Sequence, residues 1–186
     1  MGDAVRAQSL NDSVGIRRYR ADDISLVFEA VRESIKEISP WMSWCHPGYS
    51  LADSSAWVLS RDEAWNNKTE YSFVIIDQKT GTLLGSVGLN FINTVHWFAN
   101  LGYWVRSGQA GRGVATAATL LTARFGFENL GLHRIEIIAA VENTASQRVA
   151  EKAGATREGV LRNRLLIGER PHDAVIFSLI AKDLNI

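Results

Sequence analysis

The stretch Arg106-Ser107-Gly108-Gln109-Ala110-Gly111-Arg112-Gly113-Val114-Ala115-Thr116 changes character twice within a few residues. The residues leading into it, Val95 to Arg106, read as a strand. After it, Val114, Ala117, Ala118, Leu121 and Phe125 recur at helical spacing and predict an amphipathic helix that Gly131 closes. Between the two lies a loop too rich in glycine to continue either element. Gly111 and Gly113 remove side chains where a ligand approaches the backbone. A helix N-terminus adds unpaired N–H groups and a positive dipole end. With Arg112 alongside, the arrangement suits a pyrophosphate. The same glycines also fit a tight turn that binds nothing. A nucleotidase P-loop is excluded because no Gly-Lys-Ser/Thr follows, and the Gly-x-Gly-x-x-Gly order of a dinucleotide fold is missing.

Working outward, Val14 to Arg20 reads as a strand. Asp22 or Asp23 then caps a helix whose stripe is Ile24, Val27, Phe28, Val31, Ile35 and Ile38, with Pro40 as its stop. An aromatic loop, Trp41 to Tyr49, precedes a second helix from about Ser50 to Asn67. Strands follow over Tyr71–Ile76 and Leu83–Ile92, around the turn Lys79-Thr80-Gly81. Beyond the glycine-rich segment come a strand over His133–Val141 and a helix opened by a capping-box pattern at Thr144-Ala145-Ser146-Gln147 and ended near Gly154. Two antiparallel strands close the chain around Gly168-Glu169-Arg170-Pro171. The order β-α-α-β-β-β-α-β-α-β-β predicts an α+β (mixed α/β) domain over residues 14–186 with a largely antiparallel sheet, preceded by a flexible tail over residues 1–13.

Apolar residues are 46% of the 186-residue chain, enough for a packed core. Lys+Arg and Asp+Glu are equal at 20 each, so the basic excess of a nucleic-acid binder is absent. The lone cysteine, Cys45, forms no internal disulfide, which favours a reducing, cytoplasmic setting. No signal peptide or membrane span is legible. The four histidines, His46, His96, His133 and His172, lack ligand spacing, so no metal is expected.

Several motifs in order resemble the GNAT superfamily: Gly102-Tyr103-Trp104-Val105, Gly111-Arg112-Gly113-Val114-Ala115-Thr116, Asn143-Thr144-Ala145-Ser146 and Glu151-Lys152-Ala153-Gly154-Ala155. Gly15-Ile16-Arg17, Pro40-Trp41, Glu158-Gly159-Val160-Leu161-Arg162 and His172-Asp173-Ala174-Val175-Ile176 are similar to its ribosomal-protein N-terminal acetyltransferase branch, the RimJ/RimL type. The resemblance implies a central pair of splayed strands with the pantetheine arm of acetyl-CoA in the gap. Backbone groups of Trp104, Val105 and Arg106 would pair with the pantetheine. Gly111, Arg112, Gly113, Val114, Ala115 and Thr116 would hold the pyrophosphate, and Asn143 and Ser146 would face the thioester. The chain departs from the family at Ala110, the position before Gly-x-Gly where Arg or Gln is usual. That loses a charge-assisted hydrogen bond of roughly 1.5–3 kcal/mol.

Acyl transfer to an amine needs a neutral nucleophile, an oxyanion donor and a proton for the leaving thiolate. Backbone N–H groups around Tyr103 to Val105 are the expected oxyanion donors. Ser146 is the candidate acid by resemblance; the plainer alternative is an ordinary first-turn helix serine. The expected base is unsettled between Glu136 and His96, because branch members place glutamates where Leu165 and Asn100 stand here. A poor base favours an α-amine: freeing it at neutral pH costs about 1 to 1.4 kcal/mol, against about 4.6 for a lysine. Trp41, Trp44, Cys45, His46 and Trp97 are the candidate acceptor wall, or simply fasten their loops to the core. The expected acceptor is a protein N-terminus or small amine, and the expected assembly a monomer or homodimer. A non-catalytic CoA-binding module, and a transferase of another acyl-CoA such as succinyl-CoA with Arg162 or Arg164 as its cation, are the competing readings.

Overall fold

Alternating apolar runs form the strands β2 (Val14–Arg18), β3 (Tyr71–Asp77), β4 (Leu83–Asn93), β5 (Phe98–Val105), β6 (Arg134–Ala140), β7 (Thr156–Ile167) and β8 (Arg170–Leu179). The structure, a computed structural model, describes residues 5–6 and 13–186. Val5–Arg6 form a two-residue strand, β1, antiparallel to β2; the rest of the expected tail, apart from Ser13, lies outside the described residues. One sheet runs β1-β2-β3-β4-β5-β6-β8-β7, and every pairing is antiparallel except β5 with β6. Among the described residues the α-helices are α1 (Asp23–Ile38), α2 (Leu51–Asn66), α3 (Val114–Leu130) and α4 (Thr144–Lys152).

The period-2 pattern divides the apolar side chains between two cores. Phe73, Leu89, Leu101, Ile135 and Phe177 pack with Leu121 of α3 on one side. Val74 packs with Val27 and Val31 of α1 and Val58 of α2 in the other cluster. The expected single stripe on α3 is a correction. Thr116, Thr119 and Thr122 are buried along with Ala117, Ala118 and Leu121, because the sheet and α4 both pack on this helix.

Local chemistry fixes the boundaries. Ser50 and Asp53 form the reciprocal capping box that starts α2. The start of α4 differs from the expected pattern: Asn143 is the cap, its Oδ1 accepting from Ser146 N at 3.0 Å, while Gln147 donates to the Ala140 and Val141 carbonyls. β5 begins at Phe98 and not Val95, because Asn93 Oδ1 accepts from the N–H groups of Val95 and His96 and turns the chain. Gly168 and Glu169, both at positive φ, make the two-residue turn between β7 and β8.

The entry to α1 is held by charge. Asp23 is 1% exposed, receives two 2.7 Å hydrogen bonds from Arg17, and accepts a third from Arg20 N at 2.8 Å. Removing one member of a buried pair strands the other. Asp23→Ala is expected to lower unfolding free energy by about 3 kcal/mol, read as a shift in the urea midpoint with the m-value unchanged.

Candidate active site

Strands β5 and β6 pair only at Phe98–Arg134, Ala99–Ile135 and Asn100–Glu136. Beyond Asn100, β5 continues against β4 as far as Val105, and among the described residues no strand pairs with its other edge. The separation leaves backbone groups of β5 without a ladder, a condition that an extended ligand arm relieves as a strand would. A cleft of about 490 Å³ occupies the divergence. Leu101 to Val105 form one wall, Ile137 to Ala140 the other, and α4 and the glycine-rich loop close the ends.

Gly111 and Gly113 sit at φ 75° and 77°, the left-handed region. A Cβ built on either meets nothing within 4 Å. Gly113 is also the N-cap of α3 and supplies no side-chain cap, so the first-turn N–H groups lack an intrahelical acceptor. Val114, Ala115 and Thr116 line the cleft there. Arg112 does not line it, and its Nη1 donates to Gln109 Oε1 at 3.2 Å. Open space over two left-handed glycines and an uncapped helix end fits a diphosphate.

Tyr103 and Ser146 meet at the middle of the cleft. The phenol oxygen lies 2.9 Å from Ser146 Oγ and 3.0 Å from the Ser146 carbonyl, to which it donates. Burial pushes the Tyr103 phenol up to about 12, against a smaller opposing effect of the Ser146 hydrogen bond. The phenol therefore stays protonated across the neutral range. Asn143, through its cap on Ser146 N, fixes the serine's position and also lines the cleft.

A second cleft of about 460 Å³ lies between the sheet and the first two helices. It shares Met42, Gly102, Tyr103 and Trp104 with the first. Its floor is cross-strand: Ser72 pairs with Gly88, and Gly88 with Gly102. Trp44 forms a wall, 6.1 Å from the Trp104 ring and 6.0 Å from Tyr49. Asp53 and Glu70 are its carboxylates. Glu70 Oε1 accepts from Ser72 Oγ at 2.5 Å, and Oε2 lies 2.8 Å from Arg61 Nη1. Arg61 in turn stacks 3.5 Å over Trp57. Sequence reasoning missed Glu70. Its signal is weak, a carboxylate two residues before Ser72 at the head of a strand, and its relation to Gly102 exists only once three strands are in register.

A profile of the Acetyltransferase (GNAT) domain matches residues 13–156. The chain belongs to the GNAT acetyltransferase family. It is 27% identical over 177 residues to the Bacillus subtilis protein named "Putative ribosomal N-acetyltransferase YdaF", covering 94% of each chain. It is 29% identical over 114 residues to spermidine N(1)-acetyltransferase of Escherichia coli, covering 61% of this chain and 60% of that one. The Mycobacterium smegmatis RimJ structure, in complex with a CoA-disulfide, superposes with a TM-score of 0.83 at 24% identity, covering 93% of this chain and 84% of that one.

Several expected residues stand elsewhere in this acetyltransferase. Arg106 has partners of its own: its N–H donates to Leu84, its carbonyl accepts from Gln109, and its guanidinium pairs with Glu33. Glu136 lines neither cleft. It pairs at 2.9 Å with Arg134, which also binds Glu158. Arg134, then Ser178, holds the Glu158 carboxyl down to about 2. His96 and Trp97 sit in the turn before β5 and line neither cleft. Trp41 lines the first cleft and not the second. His46 lies against Tyr49, their ring centroids 6.3 Å apart, outside both clefts. Cys45 is buried, and burial raises its thiol pKa, which leaves it a poor nucleophile. Leu165 lines the first cleft. Among the described residues no cluster of three or more His, Cys, Asp or Glu is placed to hold a metal, and no helix is long and apolar enough to cross a membrane.

Gly113→Val places a branched side chain at positive φ in the open space of the loop. It is expected to raise the KM for an acyl-CoA donor at least tenfold, from backbone strain of about 1–2 kcal/mol plus lost ligand room, measured by initial rates at saturating acceptor.

Proposed function

We propose that the chain transfers an acetyl group from acetyl-CoA to a primary amine by direct attack, over a single catalytic domain spanning residues 14–186. The observation that carries this reading is the meeting of two clefts at Gly102, Tyr103 and Trp104, on the strand edge that β6 abandons. The donor's arm lies in the divergence and its diphosphate at Gly111 to Thr116. The chemistry it supplies is an activated thioester; everything else comes from the chain. Backbone N–H groups of β5 around Tyr103 to Val105 stabilise the oxyanion, each such donor contributing about 2.7–4 kcal/mol. As the new C–N bond forms and the C–S bond breaks, the amine nitrogen gives up a proton to solvent, Ser146 donates its Oγ proton to the thiolate, and solvent returns a proton to Ser146, whose Oγ lies 2.9 Å from the Tyr103 phenol.

The amine enters through the second cleft. With Glu136 and His96 outside it, Asp53 and Glu70 are the carboxylates that draw the amine in. Both carboxylates have partners, Asp53 in the cap of α2 and Glu70 at Ser72 and Arg61; Glu70, bonded to the Ser72 end of the Ser72–Gly88–Gly102 row, is the proposed recognition group. Among the described residues no imidazole lines either cleft, so the preferred acceptor is an amine that loses its proton readily, such as a peptide or protein α-amine. A small polycationic amine is the second reading, favoured by the two carboxylates. The proposed setting is the cytoplasm, where the buried free thiol of Cys45 persists.

Calorimetric titration with acetyl-CoA, followed by initial rates with peptide N-termini, N-terminally blocked lysine peptides and spermidine, tests this. Saturable binding and faster turnover of the α-amine are expected; faster turnover of lysine side chains overturns the acceptor assignment, and no binding at millimolar ligand overturns the whole reading. Within it, Ser146→Ala and Tyr103→Phe are each expected to lower kcat about tenfold or more with the KM for acetyl-CoA nearly unchanged. Glu70→Gln is expected to raise the acceptor KM several-fold, about the effect of one charged contact, while leaving the acetyl-CoA KM within twofold.

A further inference from the structure

The turn that feeds the glycine-rich loop is held from outside by α1. Arg106 Nε reaches Glu33 Oε2 at 2.5 Å, and Gly108 N donates to Glu33 Oε1 at 3.2 Å. Ser107 N donates to Ser34 Oγ at 2.9 Å, and Ser107 Oγ to Glu37 Oε2 at 2.8 Å. Ser34 is fully buried, so its hydroxyl is a fixed acceptor and not a surface convenience. On the other flank, Arg106 N donates to Leu84 O at 2.8 Å. Residues 106–108 are thus pinned between α1 and β4. Gly108 lacks a side chain where a Cβ would lie 3.0 Å from Glu33 Oε1, which lets the carboxylate press against the turn.

The next residues of the loop are held far less. Ala110 offers no long donor, and Gly111 and Gly113 have open space around them. Gly113 has no side-chain cap. A loop built this way loses ordering entropy when it meets a ligand unless its entry is fixed in advance. Contacts from α1 are the available means of fixing it. Glu37 and Ile38 of the same helix line the donor cleft, so the helix and the loop are parts of one wall.

We propose that Glu33 and Ser34 are positioning residues for the donor site: they hold the 106–108 turn so that the glycine-rich loop presents its N–H groups preformed, in place of the side chain that Ala110 lacks. The inference rests on the assignment of that loop to the coenzyme diphosphate. Neither residue lines the donor or acceptor cleft, so both act through the loop.

The test compares the wild-type chain with Glu33→Gln/Ser34→Ala, Glu33→Lys, and the exchanged pair Glu33→Arg/Arg106→Glu, using acetyl-CoA titration, steady-state kinetics and thermal unfolding. The double variant is expected to raise the Kd and KM for acetyl-CoA about tenfold, the fold-change of one charge-assisted hydrogen bond, with kcat and the acceptor KM within twofold. Glu33→Lys is expected to do worse, and the exchanged pair to recover part of the loss. An acetyl-CoA Kd within twofold of wild type in the double variant overturns the proposal. So does a loss shared equally by kcat, both KM values and Tm with no recovery in the exchanged pair, since that describes a structural helix contact only. Failure of the wild-type chain to bind acetyl-CoA is a separate outcome, overturning the diphosphate assignment itself and this inference with it.

Discussion

The structure depends on a strand pairing that stops early. Three residue pairs join β5 to β6, and then the strands part. An interrupted ladder leaves polar backbone in need of partners, which a folded chain rarely tolerates away from water. Here the neighbours make the interruption stable. β4 holds β5 along its other edge to Val105, and β8 holds β6 from Ile135 to Ala140. Each diverging strand therefore keeps one complete ladder, and the open edges face each other across a cleft of ligand size.

Both ends of that cleft are closed by helix starts with different chemistry. Asn143 caps α4 with its side chain and thereby orients Ser146. Gly113 caps α3 without one and leaves the first-turn donors available. One terminus positions a hydroxyl beside Tyr103, and the other is open to the anion proposed above. The partly buried Tyr103 side chain crosses from the sheet to α4, so the hydroxyl pair belongs to two elements at once.

The element order is legible in the chain because periodicity and punctuation agree: Pro40 after α1, the Ser50–Asp53 box before α2, and Gly131 after α3 each mark a boundary that local chemistry alone decides. The glycine-rich loop is legible for the same reason. Side-chain destinations are less so. Arg106 reads as part of a ligand-facing strand end, but a carboxylate on a helix over 70 residues earlier takes its guanidinium, and no local pattern encodes that. Glu136 is attractive as a carboxylate on a central strand, yet the two-residue period of β6 sets it beside Arg134. Glu70 becomes visible only through the row Ser72–Gly88–Gly102, which needs three strands aligned. Long-range pairing, and not propensity, decides which polar groups converge.

The sharing of Met42, Gly102, Tyr103 and Trp104 by two otherwise separate clefts has a kinetic meaning. On the proposed reading each substrate has a compartment of its own, and the two overlap only at these residues. Neither would have to vacate the protein for the other to arrive, and the acetyl group would need no rest on a side chain in between. Such an architecture suits a ternary complex, in which double-reciprocal plots at different fixed concentrations of the second substrate intersect instead of running parallel.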